Sequence, residues 1–495
     1  MPETMPASQH ERKERVLVAA GVLVLAVIPI LLTPFPPATD LPQHIAQVRL
    51  FKEALANPGG PYVIQWLAPN NLIYVFLLAF WTILPIGLVA RVTLIFIVIL
   101  WLAGVHGLAA TRRRPLAGAI AASLLVFNQS FYWGFLNFVL GFPIFILWLG
   151  LTAKPPRRLS GKLWVALAGT SFLLYESHAL WLAAGGLWLI VIGLIKKVQI
   201  KMTLGRLSAL VPCSLMAGLW YPHLWASRSM AGFDTAAHWS PLIDRLGSFM
   251  GAAFGGIRGP AETAAFIFVF FWAALSIWQN KHRLRDLVDR DLLAAAFFFL
   301  AVVVFAPDMF MNSIFFSSRW FPPALIFLLL GLPAPAFRRL ASKTIVLVVA
   351  GSFLAITALT WRSFEKKELT GLRQSLDQVP ASSRVLGLDL VKESELIKGR
   401  PFLQLFAYAQ VFKGGELNFS FAEHYSGLVA YRTKRDVRWS SGLEWHGEKV
   451  RRTDFAFFDF ILVNADDKDH GTLSTFGEVS PVTISGRWRL YRVRK

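Results

Sequence analysis

The chain has one cysteine, Cys213, among 495 residues. That excludes an intramolecular disulfide and any cysteine-rich metal site. There is no P-loop, no HExxH, no GxSxG and no dinucleotide fingerprint, so chemistry driven directly by a bound nucleotide has no motif to rest on. No internal repeat and no low-complexity segment is evident. Charge is also scarce: 16% of residues are charged, against 55% hydrophobic and 14% aromatic. Such a composition is too apolar for a soluble domain and normal for a multi-spanning membrane protein. Acidic residues are the scarcest class, 30 against 50 basic ones, for a net charge of +20.

What is present is long apolar runs separated by short basic clusters. The clusters are ERKER, TRRRP, KPPRR, KKVQIK, NKHRLR and FRRLASK. This is the pattern of positive-inside loops and anionic-lipid contact, and it makes nucleic acid a poor partner. With the clusters on the cytoplasmic side, spans fall near 16–34, 90–111, 115–130, 133–152, 162–177, 179–195, 206–225, 261–279, 291–306, 320–336 and 343–361. The N-terminus is then inside and the C-terminus outside. ERKER precedes the first span without a small-residue cleavage site after it, so the span reads as an uncleaved anchor. Residues 72–88 are apolar enough to cross, but a crossing there would invert every later cluster. They read as a re-entrant or surface-lying helix, with a twelfth span as the alternative. The expected class is therefore an α-helical polytopic membrane protein of about 11–13 transmembrane helices. A small α/β domain on the outer side, residues 362–495, follows a membrane part, residues 1–361, that includes a first outer loop at 35–71.

In that tail SRVLGLDL (383–390) and FDFILVNAD (458–466) read as buried strands, and GRWRLYRV (486–493) as a half-exposed one. PFLQLFAYAQVF (401–412) reads as a helix stopped by Gly-Gly. The polar residues of the membrane part collect at the outer ends of the spans: Asp40 and His44; Asn128, Gln129 and Tyr132; Tyr175, Glu176 and His178; a loop at 226–260 with Arg228, Asp234, His238, Asp244 and Arg245; then Asp308, Asn312 and Arg319. This asymmetry places any chemistry at the outer face.

In the first loop Leu41, Ile45, Val48 and Leu55 share one helical face, and NPGG ends the helix. An amphipathic helix at the membrane surface follows. Asp40 has two readings. Asp40-x-x-Gln43 fits a capping box. A carboxylate at the mouth of a membrane cavity also suits a general base, taking a proton from an acceptor hydroxyl or amine. His44 is either an ordinary surface or core histidine or part of the same site. Glu176 and His178, in YESHALW, are costly at the membrane edge unless paired or functional. In NQSFYWGFLNF (128–138), Tyr132, Trp133 and Asn137 belong to an interfacial aromatic belt or contact a sugar.

Taken together, a long span, an outer loop opening on an acidic residue in TDLPQH (39–44), many further spans and an outer α/β domain resemble the GT-C glycosyltransferases. PNNLIYVFLLAF (69–80) is similar to the helix after their first-loop helices. SSRWFPPAL (317–325) is similar to their late Arg-aromatic-x-Pro element. The resemblance implies a polyprenyl-phosphate sugar donor, Asp40 as the base and inversion at the anomeric carbon. The leaving lipid phosphate needs a cation, for which Arg319 is placed; the alternative is an interfacial anchor. His44, Tyr132, Asn137, Glu176, His178 and Arg319 are the substrate-binding candidates. The family pattern is often Asp-Glu or Asp-x-Asp, whereas Asp40 is followed by Leu and Pro, so no metal site is assigned. A divalent cation held by Asp40, His44, Glu176 and His178 is chemically sensible. The implied partners are a lipid-linked donor, membrane lipids and an acceptor lipid, protein or polysaccharide. The implied location is a bacterial plasma membrane. A transporter or flippase of lipid-linked saccharides, and a non-catalytic envelope assembly protein, remain as other classes.

Overall fold

A computed structural model describes residues 9–154, 158–230, 233–335, 339–425 and 427–495. Residues 155–157 of the KPPRR cluster, 231–232 of the 226–260 loop and 337–338 of FRRLASK lie outside the described residues. The chain is a membrane helix bundle with a small C-terminal sheet unit. Among the described residues five helices are long and apolar enough to cross a bilayer: Gln9–Leu31, Ile86–Thr111, Ile200–Met230, Pro260–Asn280 and Ser342–Glu368. Leu136–Thr152, Gly161–Ser177 and Ala179–Ile195 have 17 residues each, a rise of ~25 Å at 1.5 Å per residue. Leu72–Ile83 has only 12, or ~18 Å, well short of the ~30 Å hydrocarbon core. That segment therefore does not span.

The basic clusters meet at one end of the bundle. Arg112 and Lys196 both reach Asp291, at 3.2 and 2.5 Å. Arg15 donates to the Arg114 carbonyl at 3.0 Å, and Lys343 reaches Glu14 at 2.7 Å. Arg114 in turn donates to the carbonyls of Leu287, Leu330 and Gly331, all near helix ends whose last C=O groups have no helical partner. Four clusters far apart in sequence thus share one face.

At the other end lies a five-stranded sheet. Its order is Glu416–Leu417, Arg384–Asp389, Phe460–Asn464, Trp488–Val493, Val479–Pro481. The first three strands run parallel and the last two pair antiparallel. Leu386, Leu388, Ile461, Val463 and Tyr491 pack into its core. The expected helix at 401–412 is only half present: a 3-10 turn, Leu405–Ala407, leads into Tyr408–Lys413. Phe402, Leu403, Leu405, Phe406 and Ala407 are all buried, so no polar face marks a helical period there. Gly414 and Gly415 end it at φ 72° and 82°.

The polar side of the helix Leu41–Ala56, expected to face water, is covered by protein. Gln43, His44 and Gln47 on its polar side are buried, because the tail covers them. Gln43 donates to Gln404 at 2.9 Å and accepts from the Phe421 N–H. Gln47 accepts from the Val429 N–H at 2.8 Å. The strand Tyr62–Ile64 of the same loop pairs antiparallel with Val429–Tyr431 of the tail. The polar face meets a second protein layer instead of water. The 226–260 segment is likewise no open loop. It holds the helix Leu242–Ala253, anchored by Arg245, which pairs with Asp308 at 3.1 Å and donates to the Val304 and Ala306 carbonyls.

A further clamp joins the tail to the bundle. Glu262, 1% exposed, accepts from the Gly256 and Ile257 N–H groups at 2.7 and 2.6 Å and from Lys398 at 2.7 Å. Glu262→Ala leaves those donors unpaired in a buried place and should cost about 3–5 kcal/mol. Thermal unfolding in nanodiscs should show the loss, with the tail becoming protease-sensitive first; an unchanged midpoint would mean the clamp carries no stability.

Candidate functional site

The backbone of Asp40 is stitched to the segment after Tyr132. The Thr39 N–H donates to the Tyr132 carbonyl at 2.9 Å, and the Asp40 N–H to the Trp133 carbonyl at 3.1 Å. Gly134, at φ 76°, makes the approach possible: a Cβ there would lie 2.6 Å from the Asp40 nitrogen. The Thr39 hydroxyl also donates to the Arg400 carbonyl, at 3.3 Å, which ties the same turn to the tail.

Asp40 is at the N-cap position of Leu41–Ala56, but its side chain makes no cap bond, and Gln43 is spent on the tail. The capping box is not formed. Among the described residues the carboxylate has no hydrogen bond and no ion pair. It is half-buried, with protein on most sides and solvent still reaching the oxygens. Burial pushes the carboxyl up to about 7. One turn on, His44 Nδ1 lies 3.0 Å from the Tyr74 hydroxyl, and its ring meets Phe421 edge-on at 5.5 Å. Burial holds the imidazole down at about 4, against the opposing pull of the Gly134 backbone carbonyl. His44 is therefore neutral at pH 7. The Tyr74 hydroxyl also feels the Asp40 charge.

On the other side of the 132–138 segment sits Arg319, 5% exposed. It donates to the Phe315 carbonyl at 3.0 Å and the Ile314 carbonyl at 2.6 Å, and lies over the rings of Phe135 and Phe138 at 4.6 and 5.4 Å. Among the described residues it has no carboxylate partner, and Nη1 makes no hydrogen bond. The loop that holds it is strained: Met311, Asn312 and Phe315 all have φ between 52° and 56°, which costs a non-glycine residue of order 1–3 kcal/mol. Arg228 touches the same loop through Ser313.

The other expected residues are distributed as follows. Tyr132 is buried, with its hydroxyl accepting from the Trp361 indole at 3.1 Å, so it holds the loop in place. Asn137 is buried with Oδ1 unpaired. His178 accepts from the Leu180 N–H at 3.2 Å, meets Phe138 edge-on and feels the Arg319 charge. Glu176 has no hydrogen-bond partner among the described residues. The chain does not gather Asp40, His44, Glu176 and His178 around an ion: among the described residues, no three His, Cys, Asp or Glu side chains stand at metal-binding spacing. His44 and His178 already use Nδ1 elsewhere. Sequence reasoning missed Tyr74, Gly134 and Asn70. Asn70, at φ 73°, accepts from the Ala179 N–H and fixes the turn at His178. An asparagine, a residue that tolerates the left-handed region, and a glycine after the aromatic pair Tyr132–Trp133 are the traces two of these residues leave in sequence.

No family model and no curated protein sequence matches the chain. It superposes on ArnT from Cupriavidus metallidurans, solved bound to undecaprenyl phosphate, with a TM-score of 0.54 and 12% identity, over 96% of this chain and 97% of that one. A second solved structure, the arabinofuranosyltransferase AftD from Mycobacteria, aligns with a TM-score of 0.49 and 15% identity, over 99% of this chain and 40% of that one. At this level of identity the likeness to ArnT is one of fold.

Gly134→Ala should be destabilised by at least about 1–2 kcal/mol from the left-handed backbone alone, and should displace Asp40. Gly150→Ala, where a Cβ would meet nothing within 4 Å, is the control. Equal thermal midpoints for the two variants would refute the stitch.

Proposed function

We propose that the protein is an integral-membrane glycosyltransferase that moves a sugar from a polyprenyl-phosphate donor to an acceptor at the outer face. The observation that carries this is the half-buried Asp40 carboxylate, which has no hydrogen bond and no ion pair among the described residues. A carboxyl near 7 is suited to accept a proton at neutral pH. The fold supports the reaction class, and the lipid phosphate bound to ArnT is chemistry that Arg319 could receive here.

In this reading the acceptor O–H or N–H gives its proton to Asp40. The acceptor atom attacks the anomeric carbon opposite the phosphate, and the bond from that carbon to the phosphate oxygen breaks. The configuration inverts. The electron pair leaves with the lipid phosphate, whose charge is met by Arg319. Neutral His44 holds the Tyr74 hydroxyl beside Asp40 without adding a cation that would pull the base down. Glu176, His178 and Asn137 are assigned to the sugar or acceptor. The membrane is a bacterial plasma membrane, with the shared basic face cytoplasmic and the tail outside.

Asp40→Asn should abolish transfer from undecaprenyl-phosphate sugars while leaving folding and lipid binding intact; full activity would remove Asp40 as base. Only the ionised carboxylate accepts a proton. Transfer by the wild type should therefore rise with pH through a midpoint near 7, and a rate flat from pH 5 to 8 would contradict the assignment. Arg319→Ala should weaken undecaprenyl phosphate binding ten- to a hundredfold, about the loss of one or two charge-assisted hydrogen bonds. An unchanged affinity would leave Arg319 as a brace for the 311–316 loop.

A further inference from the structure

Beside Asp40 the bundle and the tail build a row of aromatic rings. Phe135 and Trp133 lie 6.2 Å apart with 25° between their planes. Trp133 and Trp445, from the tail, lie 6.5 Å apart at 28°. Phe315 leans on Trp133 at 5.2 Å. The rings are not sealed in a core: Trp445 is 38% exposed, and Trp133, Phe135 and Phe315 are half-buried. Neither indole N–H has an acceptor among the described residues, and solvent reaches that of Trp133.

The row is held from the tail side. Arg400 lies 5.6 Å from the Trp445 ring and near its carbonyl, and Gly399 sits against Trp133. At the far end Arg319 lies on Phe135. Trp133, within the row, is the residue whose carbonyl accepts from the Asp40 N–H. The row's neighbours are guanidinium groups. That suits a ligand with apolar C–H faces and a polar rim, which is a sugar ring, better than an acyl chain. An indole offers such a ring a flat face and an N–H donor for a hydroxyl.

We infer that this row is a saccharide subsite, and that the acceptor is a carbohydrate chain whose terminal unit lies on Trp133 and Trp445 with a hydroxyl directed at Asp40. The inference rests on the transferase reading above, and it names the acceptor class that reading leaves open. It also gives the tail a direct part in binding, since Trp445 completes the subsite from outside the membrane part.

The test uses the full-length protein in nanodiscs. Linear hexasaccharides of glucose, mannose and arabinose are titrated and followed by ligand-observed saturation-transfer NMR. At least one should bind the wild type. Trp445→Ala should weaken it about tenfold, near the upper value of one aromatic contact, and Trp445→Phe should recover it to within about threefold. Failure of all three sugars to bind the wild type, or equal binding by Trp445→Ala, overturns the inference. Undecaprenyl phosphate binding to wild type and Arg319→Ala is measured in parallel. Arg319-dependent lipid binding without saccharide binding leaves the transferase reading standing and removes only the subsite. Trp445-dependent saccharide binding without lipid binding keeps the subsite and removes the transferase reading.

Discussion

Two backbone hydrogen bonds, from Thr39 and Asp40 to the carbonyls of Tyr132 and Trp133, carry more of the architecture than their small energies imply. A single such bond contributes about 1 kcal/mol net. These two, however, fix the entry of the first outer loop against the turn between two helices of the bundle. Everything around the site is measured from that seam. It orients Asp40, starts the helix that carries His44 and sets Phe135 and Phe138 under Arg319. The absence of a side chain at Gly134 is the local condition for it. The Tyr132–Trp361 bond ties the same turn to the last long helix, from which the tail departs.

The tail is part of the site's frame. It covers the polar side of Leu41–Ala56 through Gln43 and Gln47, pairs a strand with Tyr62–Ile64, and receives the Thr39 hydroxyl at Arg400. Residues 256–258 pair with 396–398, and Glu262 locks the pair through Lys398. Buried amides and carboxylates are costly unless every group finds a partner. These contacts therefore act as specific address labels between the membrane part and the sheet. They add polar specificity to a shared hydrophobic core, in which Leu41, Ile45 and Val48 join the tail's Phe402, Leu405 and Val411.

Much of this plan is legible in the sequence, and the illegible part has a common cause. The spans are visible because hydropathy is local. Asp40 and Arg319 are visible because an ionisable group at a span end must be accounted for. The helix Leu41–Ala56 is visible by its period, but periodicity says only that one face is apolar. It does not say whether Gln43 and Gln47 face water or Gln404 and Val429, hundreds of residues away. The same limit hid the pairing of Tyr62–Ile64 with the tail. Residues 401–407 failed as a helix because a run buried on every side has no period to read. Tyr74 lies within an apolar run, and only the fold brings its hydroxyl to His44.

The last constraint is the separation of opposite charges. Asp40 and Arg319 are the base and the cation in the proposed reaction, and each lacks a partner, yet they do not pair. Asp40 is stitched by its backbone to Trp133, whereas Arg319 lies on the rings of Phe135 and Phe138. Contact would be attractive: an aspartate beside a guanidinium has its carboxyl drawn below the ordinary range. Such a carboxylate would be a poor base, and the guanidinium would have no free N–H for a phosphate. Keeping the two apart leaves the carboxyl near 7 and Nη1 unbonded. The turn at Gly134 fixes the setting of Asp40 and the tail grips it through Arg400, while Arg319 is fixed separately by the 314–315 carbonyls.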